Sequence, residues 1–496
     1  MRLTNLILLT LSVFIAGSQA QDANPKIRVM TLPDCIQLAL AHNLDLQIER
    51  INPRLSLYDV DIAFAGWDPN FTVSGRHSFN LTGGSIDANK LVTPPSISDQ
   101  NSFSAGLSGL IPSGATYNLS GNLQESYGRA GLTRFDNSSG ATVLSLSQPL
   151  LKNFWIDNTR LNIAVTKNRL QYSELGLRQR MMNVVTFVEN AYYDLIFSQE
   201  SVKVQQNALQ LAERLLQDNK KKVEVGALAP LDEKQAQSQL AATRSDLILA
   251  QQALATQQNT LKSLLTDTFV AWYGTDIQPA EKLVAVPENY DLMESWRVGM
   301  TQRPDLMQSK LDLERTGIQL KYFHNQVFPE LDLTGSYGHN GTGREFSGPL
   351  DDYGNGNRPQ YSYGAILTIP LSNKAARSRY KQGKLDVEQA LLNLKKIEQT
   401  ALVDIQNAIG DSRGNFQRVQ ATHEARIYAE AALDAEQKKL DNGKSTPFQV
   451  LQLQRDLTAR SSDEIRALAD YNKSLSQIAL KQGTTLERRN VSVNGK

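Results

Sequence analysis

Cysteine is nearly absent: the 496 residues contain one, Cys35. That excludes an internal disulfide and a multi-cysteine metal site. Cys35 follows Leu32-Pro33-Asp34, not the small apolar residues that precede a lipidated cysteine, so it is expected to be a half-buried helix residue. The chain also lacks an excess of charge. Its 52 basic residues stand against 51 acidic ones, which leaves no electrostatic footprint for nucleic acid. Histidine is scarce and scattered: His42, His77, His324, His339 and His423 include no His-Glu-x-x-His helix and no two-ligand spacing, so no metal or cofactor is expected. Gly341-Thr342-Gly343 lacks the following helix of a phosphate loop, and no Gly-x-Ser-x-Gly elbow joins a strand to a helix. The chain is not expected to be an enzyme, and no residue is assigned a catalytic role.

Long hydrophobic runs are missing beyond residue 20, and mean hydropathy is -0.37. Residues 1–20 combine Arg2, an apolar core from Leu6 to Ala16, and Ser18-Gln19-Ala20, which reads as a signal peptide cut after Ala20. An anchor helix is the alternative, but the apolar core is too short for about 30 Å of hydrocarbon. A mature chain that crosses a membrane must then do so as a closed β-barrel.

Proline is missing from two long stretches, Pro149 to Pro230 and Pro370 to Pro447. In the first, Leu161, Val165, Leu177, Met181, Val184, Val188, Ala191 and Leu195 recur at helical spacing, as do Val202, Leu209, Ala212 and Leu216. The expectation is an amphipathic helix over 157–224, its most regular part, Arg160 to Lys222, about 60 residues and roughly 90 Å long. Such lengths point to a coiled coil or helical barrel. It stops at Gly226-Ala227-Leu228-Ala229-Pro230, and a return helix follows to about 265. The second stretch does the same over 373–441, stops at Gly443-Lys444-Ser445-Thr446-Pro447, and returns over 448–482. Both tips sit at one offset.

The repeat extends further. Asp45-Leu46 corresponds to Asp305-Leu306, Pro69 to Pro329 and Gly75 to Gly335, each 260 residues apart. The expected organisation is a signal peptide at 1–20, a first repeat at 21–265, an irregular connection at 266–290, a second repeat at 291–482 and a polar tail at 483–496. Residues 21–31 read as a short polar lead. Thr31 to Ala65 reads as one helix kinked at Pro53. After Pro69 the period changes to 2: Phe71, Val73, Gly75, His77, Phe79 and Leu81 alternate with polar residues. Further strands are expected near 103–111, 115–123 and 141–148, and in the second repeat near 331–337 and 361–369. Pro112-Ser113-Gly114 is a tight turn, and 83–100, 126–139 and 339–359 read as polar loops. Short turns on one side and long loops on the other suit an outer-membrane barrel.

Helix, strands, long helix, glycine tip and return helix, repeated once, resembles the TolC-like outer-membrane channel family. The resemblance rests on Arg303-Pro304-Asp305-Leu306, Phe328-Pro329-Glu330-Leu331, Ser147-Gln148-Pro149-Leu150-Leu151 and the two tips, and it covers nearly all of the mature chain. It implies an α+β membrane protein: a homotrimer sharing one outer-membrane β-barrel, continuous with a long periplasmic helical barrel. It implies a passive exit duct that docks a periplasmic adaptor, which links it to an inner-membrane pump of RND, ABC or MFS type, with outer-membrane lipid as the other partner. It places the adaptor contacts at 226–230 and 443–447. The rival reading is a periplasmic coiled-coil scaffold without a channel. Two departures stand out. The family often closes the tips with a ring of aspartates where this chain has Gln449 and Gln452, which argues against an acidic gate there. Asp232, followed by Glu233, offers a carboxylate ring instead or, as an equal reading, a solvated helix start, so Asp232, Glu233, Gln449 and Gln452 are the candidate gate residues. The family usually has two strands per repeat, whereas six segments are counted here. Either the barrel is larger or the hairpin at 102–125 packs elsewhere. The exported substrate (drug, metal or protein) is not legible.

Overall fold

The computed structural model describes residues 26–86, 92–356 and 358–491, so the signal peptide expected at 1–20 lies outside the described residues. In chain order, the first repeat contains β1 (Lys26–Met30), α1 (Leu32–His42), α2 (Leu44–Glu49), α3 (Ile51–Phe64), β2 (Asn70–Thr82), β3 (Ser85–Ile86), β4 (Val92–Thr93), β5 (Ser96–Leu110), β6 (Thr116–Ala130), β7 (Thr133–Pro149), α4 (Asn158–Glu224) and α5 (Pro230–Leu265). Next come β8 (Thr275–Pro279), α6 (Leu292–Gln302), α7 (Pro304–Asn325), β9 (Glu330–Gly343), α8 (Ser347–Gly354), β10 (Pro359–Thr368), α9 (Lys374–Asp441), α10 (Pro447–Gln482) and α11 (Thr485–Arg488). α4 and α9 have 67 and 68 residues, and their return helices α5 and α10 have 36 each. At 1.5 Å per residue the two longer helices are each about 100 Å long.

By contacts the chain forms two units, each drawing residues from both repeats. The first comprises residues up to 43, 187–287 and 414–473. It holds a two-stranded parallel sheet in which β1 pairs β8 from Lys26 with Thr275 to Met30 with Pro279. The polar lead at 21–31 and the irregular stretch at 266–290 therefore each contribute a strand, too short to carry a periodic signal. Gln258 fixes β8 through both arms of its amide: Nε2 donates to the Ile277 carbonyl at 2.8 Å, and Oε1 accepts from the Ile277 N–H at 2.9 Å. α1 begins with a reciprocal cap, Thr31 with Asp34, whose carboxyl is held below its ordinary value by the Thr31 hydroxyl and N–H. Its Cys35 is fully buried, deeper than expected.

The second unit comprises residues 44–186, 288–413 and 474–491 of the described chain. The helix expected over Thr31 to Ala65 is three helices, and the breaks fall at Asn43 and Arg50, not at Pro53. Pro53 sits in the first turn of α3, where its missing N–H is no loss. Asn43 is extended, with φ -64° and ψ 122°, and its counterpart 260 residues later, Arg303 between α6 and α7, is too, with φ -68° and ψ 121°. Pro304 explains the second break, because the residue before proline is driven from the helical region. Arg303 then works as a tie. It forks onto Asp305 at 3.0 and 2.7 Å and donates to the Lys481 carbonyl at 3.2 Å. Burial alone would raise the Asp305 carboxyl, but the Arg303 fork holds it below its ordinary value. The tail at 483–496 is not wholly a polar tail: α11 buries Thr485 and Leu486.

This unit carries a six-stranded antiparallel sheet in the order β10-β9-β7-β6-β5-β2. The hairpin β5–β6 lies inside it, not elsewhere. The strands outrun their apolar residues. β6 and β7 pair up to Ala130 with Thr133, so the stretch expected as a loop over 126–139 is a tight hairpin through Gly131, φ +65°. Likewise β5 begins at Ser96, inside the loop expected over 83–100, and β9 reaches Gly343, with α8 within the loop expected over 339–359. Polar alternation looks like loop in sequence, yet a ladder needs only backbone partners. Directly paired residues share a face. One face carries Phe71, Leu107, Leu119, Leu144 and Tyr337, the other Asn70, Ser108, Asn118, Ser145, Ser336 and Ser362. The apolar face is strongly exposed at both edges: Phe71 and Val73 on β2 are each 70% exposed, and Tyr361 and Tyr363 on β10 are 76% and 86%. The polar face lines a cavity of about 690 Å³.

Candidate functional site

The two tips expected as the working surface lie in the first unit, and their backbones are built alike. α4 ends in a Schellman turn: the Gly226 N–H donates to the Val223 carbonyl at 3.0 Å and the Ala227 N–H to Lys222 at 2.7 Å. α9 repeats it, with Gly443 on Leu440 at 3.1 Å and Lys444 on Lys439 at 2.8 Å. The motif needs a left-handed residue at its bend, and the φ values are +77° at Gly226 and +69° at Gly443. Glycine reaches that region without the penalty a Cβ brings. Pro230 and Pro447 then open the return helices at their first positions, where φ near -65° is preset. Each chain reversal therefore follows from one glycine and one proline four residues apart.

The side chains at the two tips differ. At the first, the Asp232 carboxylate accepts the Ala229 N–H at 3.3 Å, and Glu233 accepts from the Gln237 amide at 2.9 Å. Both acids are half-buried and serve the start of α5. At the second, the Ser445 hydroxyl lies 2.5 Å from Glu436 Oε1 and 3.0 Å from Gln449 Oε1. That hydrogen bond, with Lys439 at 2.9 Å, holds the Glu436 carboxyl below its ordinary value. Gln449 is thus engaged within its own turn, and Gln452 is exposed one turn further on. The structure does not gather Asp232, Glu233, Gln449 and Gln452 through any hydrogen bond or ion pair among the described residues; each acts within its own hairpin. Pro447 is buried, while Ala227, Ala229, Pro230, Lys444 and Thr446 are exposed.

Behind the tips the hairpins share an apolar cluster of Leu215, Leu433, Val450 and Leu451, with Leu440, Leu453 and Leu457 against it. Asn219, only 1% exposed, extends this stripe by one turn and donates to the Asp232 carbonyl at 3.4 Å. The sequence held its signal: Ala212, Leu215 and Asn219 follow one helical face, and an asparagine there implies a buried partner. Arg455 bridges the return helices to Gln239 at 2.5 Å. Lys473 lies 2.7 Å from Asp194 and 3.5 Å from Asp470, and Arg418 lies 3.1 Å from Asp470, which ties α4, α9 and α10. Apart from Lys473 and Asp470, three residues apart on α10, these pairs are long-range, so no local pattern announces them.

A family model described as outer membrane efflux protein matches residues 113–266 and 300–484. Outer membrane protein TolC of Vibrio cholerae is 23% identical over 357 residues, 71% of this chain and 78% of that protein. Among solved structures, the Campylobacter jejuni CmeC outer membrane channel gives a TM-score of 0.65 at 18% identity, covering 92% of this chain and 86% of that one. The outer membrane protein VceC from Vibrio cholerae gives 0.66 at 16% identity, covering 91% and 96%.

Proposed function

The chain belongs to the outer membrane efflux protein family, and from that premise we propose that it is the passive exit duct of a tripartite export system, working as a homotrimer. The outer-membrane location and the channel class follow from the family. The finer reading has substrate delivered by an inner-membrane pump through a periplasmic adaptor, which docks on residues 226–230 and 443–447. The observation that supports a duct most directly is the two-faced sheet. At the level of Phe71 one face is Phe, Leu and Tyr and suits hydrocarbon, with His77, Asn101 and Glu125 on that face six residues further along, and the Ser and Asn face suits a wet lumen. The twin glycine turns support docking. Both leave open space where a Cβ would go, with no atom within 4 Å, so their faces are free to be approached closely.

The test is substitution at the bends. Gly226→Asp and Gly443→Asp put a side chain and a charge where an adaptor backbone would pack, at about 1–2 kcal/mol of left-handed strain each. Export of the native substrate should fall at least tenfold while trimers still reach the outer membrane. Undiminished export in both variants would remove the tips from the docking surface.

A further inference from the structure

The sheet has two free edges, β2 and β10. With an even number of antiparallel strands, the edges run in opposite directions, so β10 of one copy can lie antiparallel to β2 of the next. In a bilayer no edge can stay open, because backbone N–H and C=O groups have no water to pair with. Within one chain the two edges are not paired with each other; five strand steps, about 24 Å measured along the sheet at about 4.8 Å per step, separate them.

The register supplies a second, independent argument. The level of Asn70 on β2 can be followed across the sheet through Ser108, Asn118, Ser145 and Ser336 to Ser362 on β10. β10 continues six residues beyond Ser362, to Thr368. Its lower end is therefore about 20 Å below that of β2 along the strand, over about 24 Å of sheet width. The strands therefore lean about 40° from the normal to the line of their lower ends, the direction of a barrel axis, within the roughly 35–45° of closed barrels. If the next copy's β2 starts at the level where β10 ends, Thr368 falls opposite its Asn70. Both belong to the polar face, and the faces then match across the seam: Ile366 with Thr72 and Gly364 with Ser74 inside, Leu367 with Phe71 and Ala365 with Val73 outside.

We propose that these edges form the subunit seam, β10 to β2 with Thr368 opposite Asn70, and that three copies of the six-stranded sheet close one eighteen-stranded barrel. This rests on the trimeric duct of the preceding section and departs from the two strands per repeat that the family resemblance implies. Diameter grows roughly in proportion to strand number, so the lumen is about 1.5 times as wide as a twelve-stranded one. Barrels of 16–18 strands leave an aqueous channel.

Disulfide trapping tests the seam in full-length protein in isolated outer membranes. In a Cys35→Ala background, Ser74→Cys with Gly364→Cys should give covalent dimers and trimers on mild oxidation, whereas each single-cysteine variant stays monomeric in denaturing gels. Pairs shifted by one step on the same face, Ser74→Cys with Ser362→Cys or Ile366→Cys, should link several-fold less. A cryo-EM map of the unsubstituted protein gives the strand count without any variant. A trimer whose barrel has twelve strands, or in which none of the three pairs links, overturns the seam and leaves the duct standing. A periplasmic monomer overturns both, and a linked ring of two copies overturns the eighteen-stranded barrel.

Discussion

Cys35 was expected half-buried and is fully so, with Ile36 next to it and Met30 at the end of β1 also buried. Desolvation pushes its thiol up from 9.0 to about 12, with the carboxylates of Asp34 and Glu281 adding to it. Because the folded value lies above the unfolded one, the folded state holds its proton longer. The contribution is complete below pH 9.0 and is lost as pH rises toward about 12. A maleimide at pH 7 should therefore label Cys35 at least a hundredfold faster in denaturant than in native protein. Stability against denaturant should decline above pH 9, and less so in Cys35→Ala. Fast native labelling would mean that the α1 packing opens. Helical spacing could place Cys35 on α1 but not say what packs there, because α5, the helix in contact with α1, begins nearly 200 residues away.

Three glycines show how an element's end can be strained, crowded or both. Gly226 and Gly443 need left-handed backbone but have open space around them, whereas Gly483, φ +81°, also faces the Gln302 backbone, where a Cβ would meet the carbonyl carbon at 2.7 Å. Gly226→Ala should cost only about 1–2 kcal/mol of local strain. Gly483→Ala adds a clash with rigid backbone at the α10 terminus, and thermal denaturation followed by circular dichroism should show a loss at least twice as large. Equal losses would mean that Gln302 gives way. All three positions look alike in sequence: a glycine after a long helical pattern. What distinguishes them is the neighbour, supplied at Gly483 by the break before Arg303.

For the whole molecule, the expected outcome of fractionation is a detergent-extractable trimer in the outer-membrane fraction. Recovery as a water-soluble periplasmic monomer would favour a scaffold without a channel. The two long hairpins and their tips were legible because helical periodicity persists for more than 60 residues and the glycine-proline punctuation recurs. The sheet was legible only in part. Its apolar segments were visible, but β6 and β7 run on through Gln124, Glu125, Asp136 and Asn137, polar residues that a backbone ladder accepts without preference. The candidate gate was the least legible. Asp232 and Gln449 are each occupied by the turn they stand in; the helix start was one of two equal readings of Asp232, whereas the Ser445 partner of Gln449 had no signal in the spacing.

The sequence by itself determined the repeat, the helix ends and the two-faced character of the strands, because each depends on residues close together in the chain: periodicity, a glycine that bends left, a proline that starts a helix. Only the tertiary structure decided that the β5–β6 hairpin belongs to the sheet, that β1 and β8 pair, and that Arg303 ties α7 to α10. These depend on partners tens to hundreds of residues apart, whose meeting is set by backbone hydrogen bonding and packing, terms that are nearly blind to local composition.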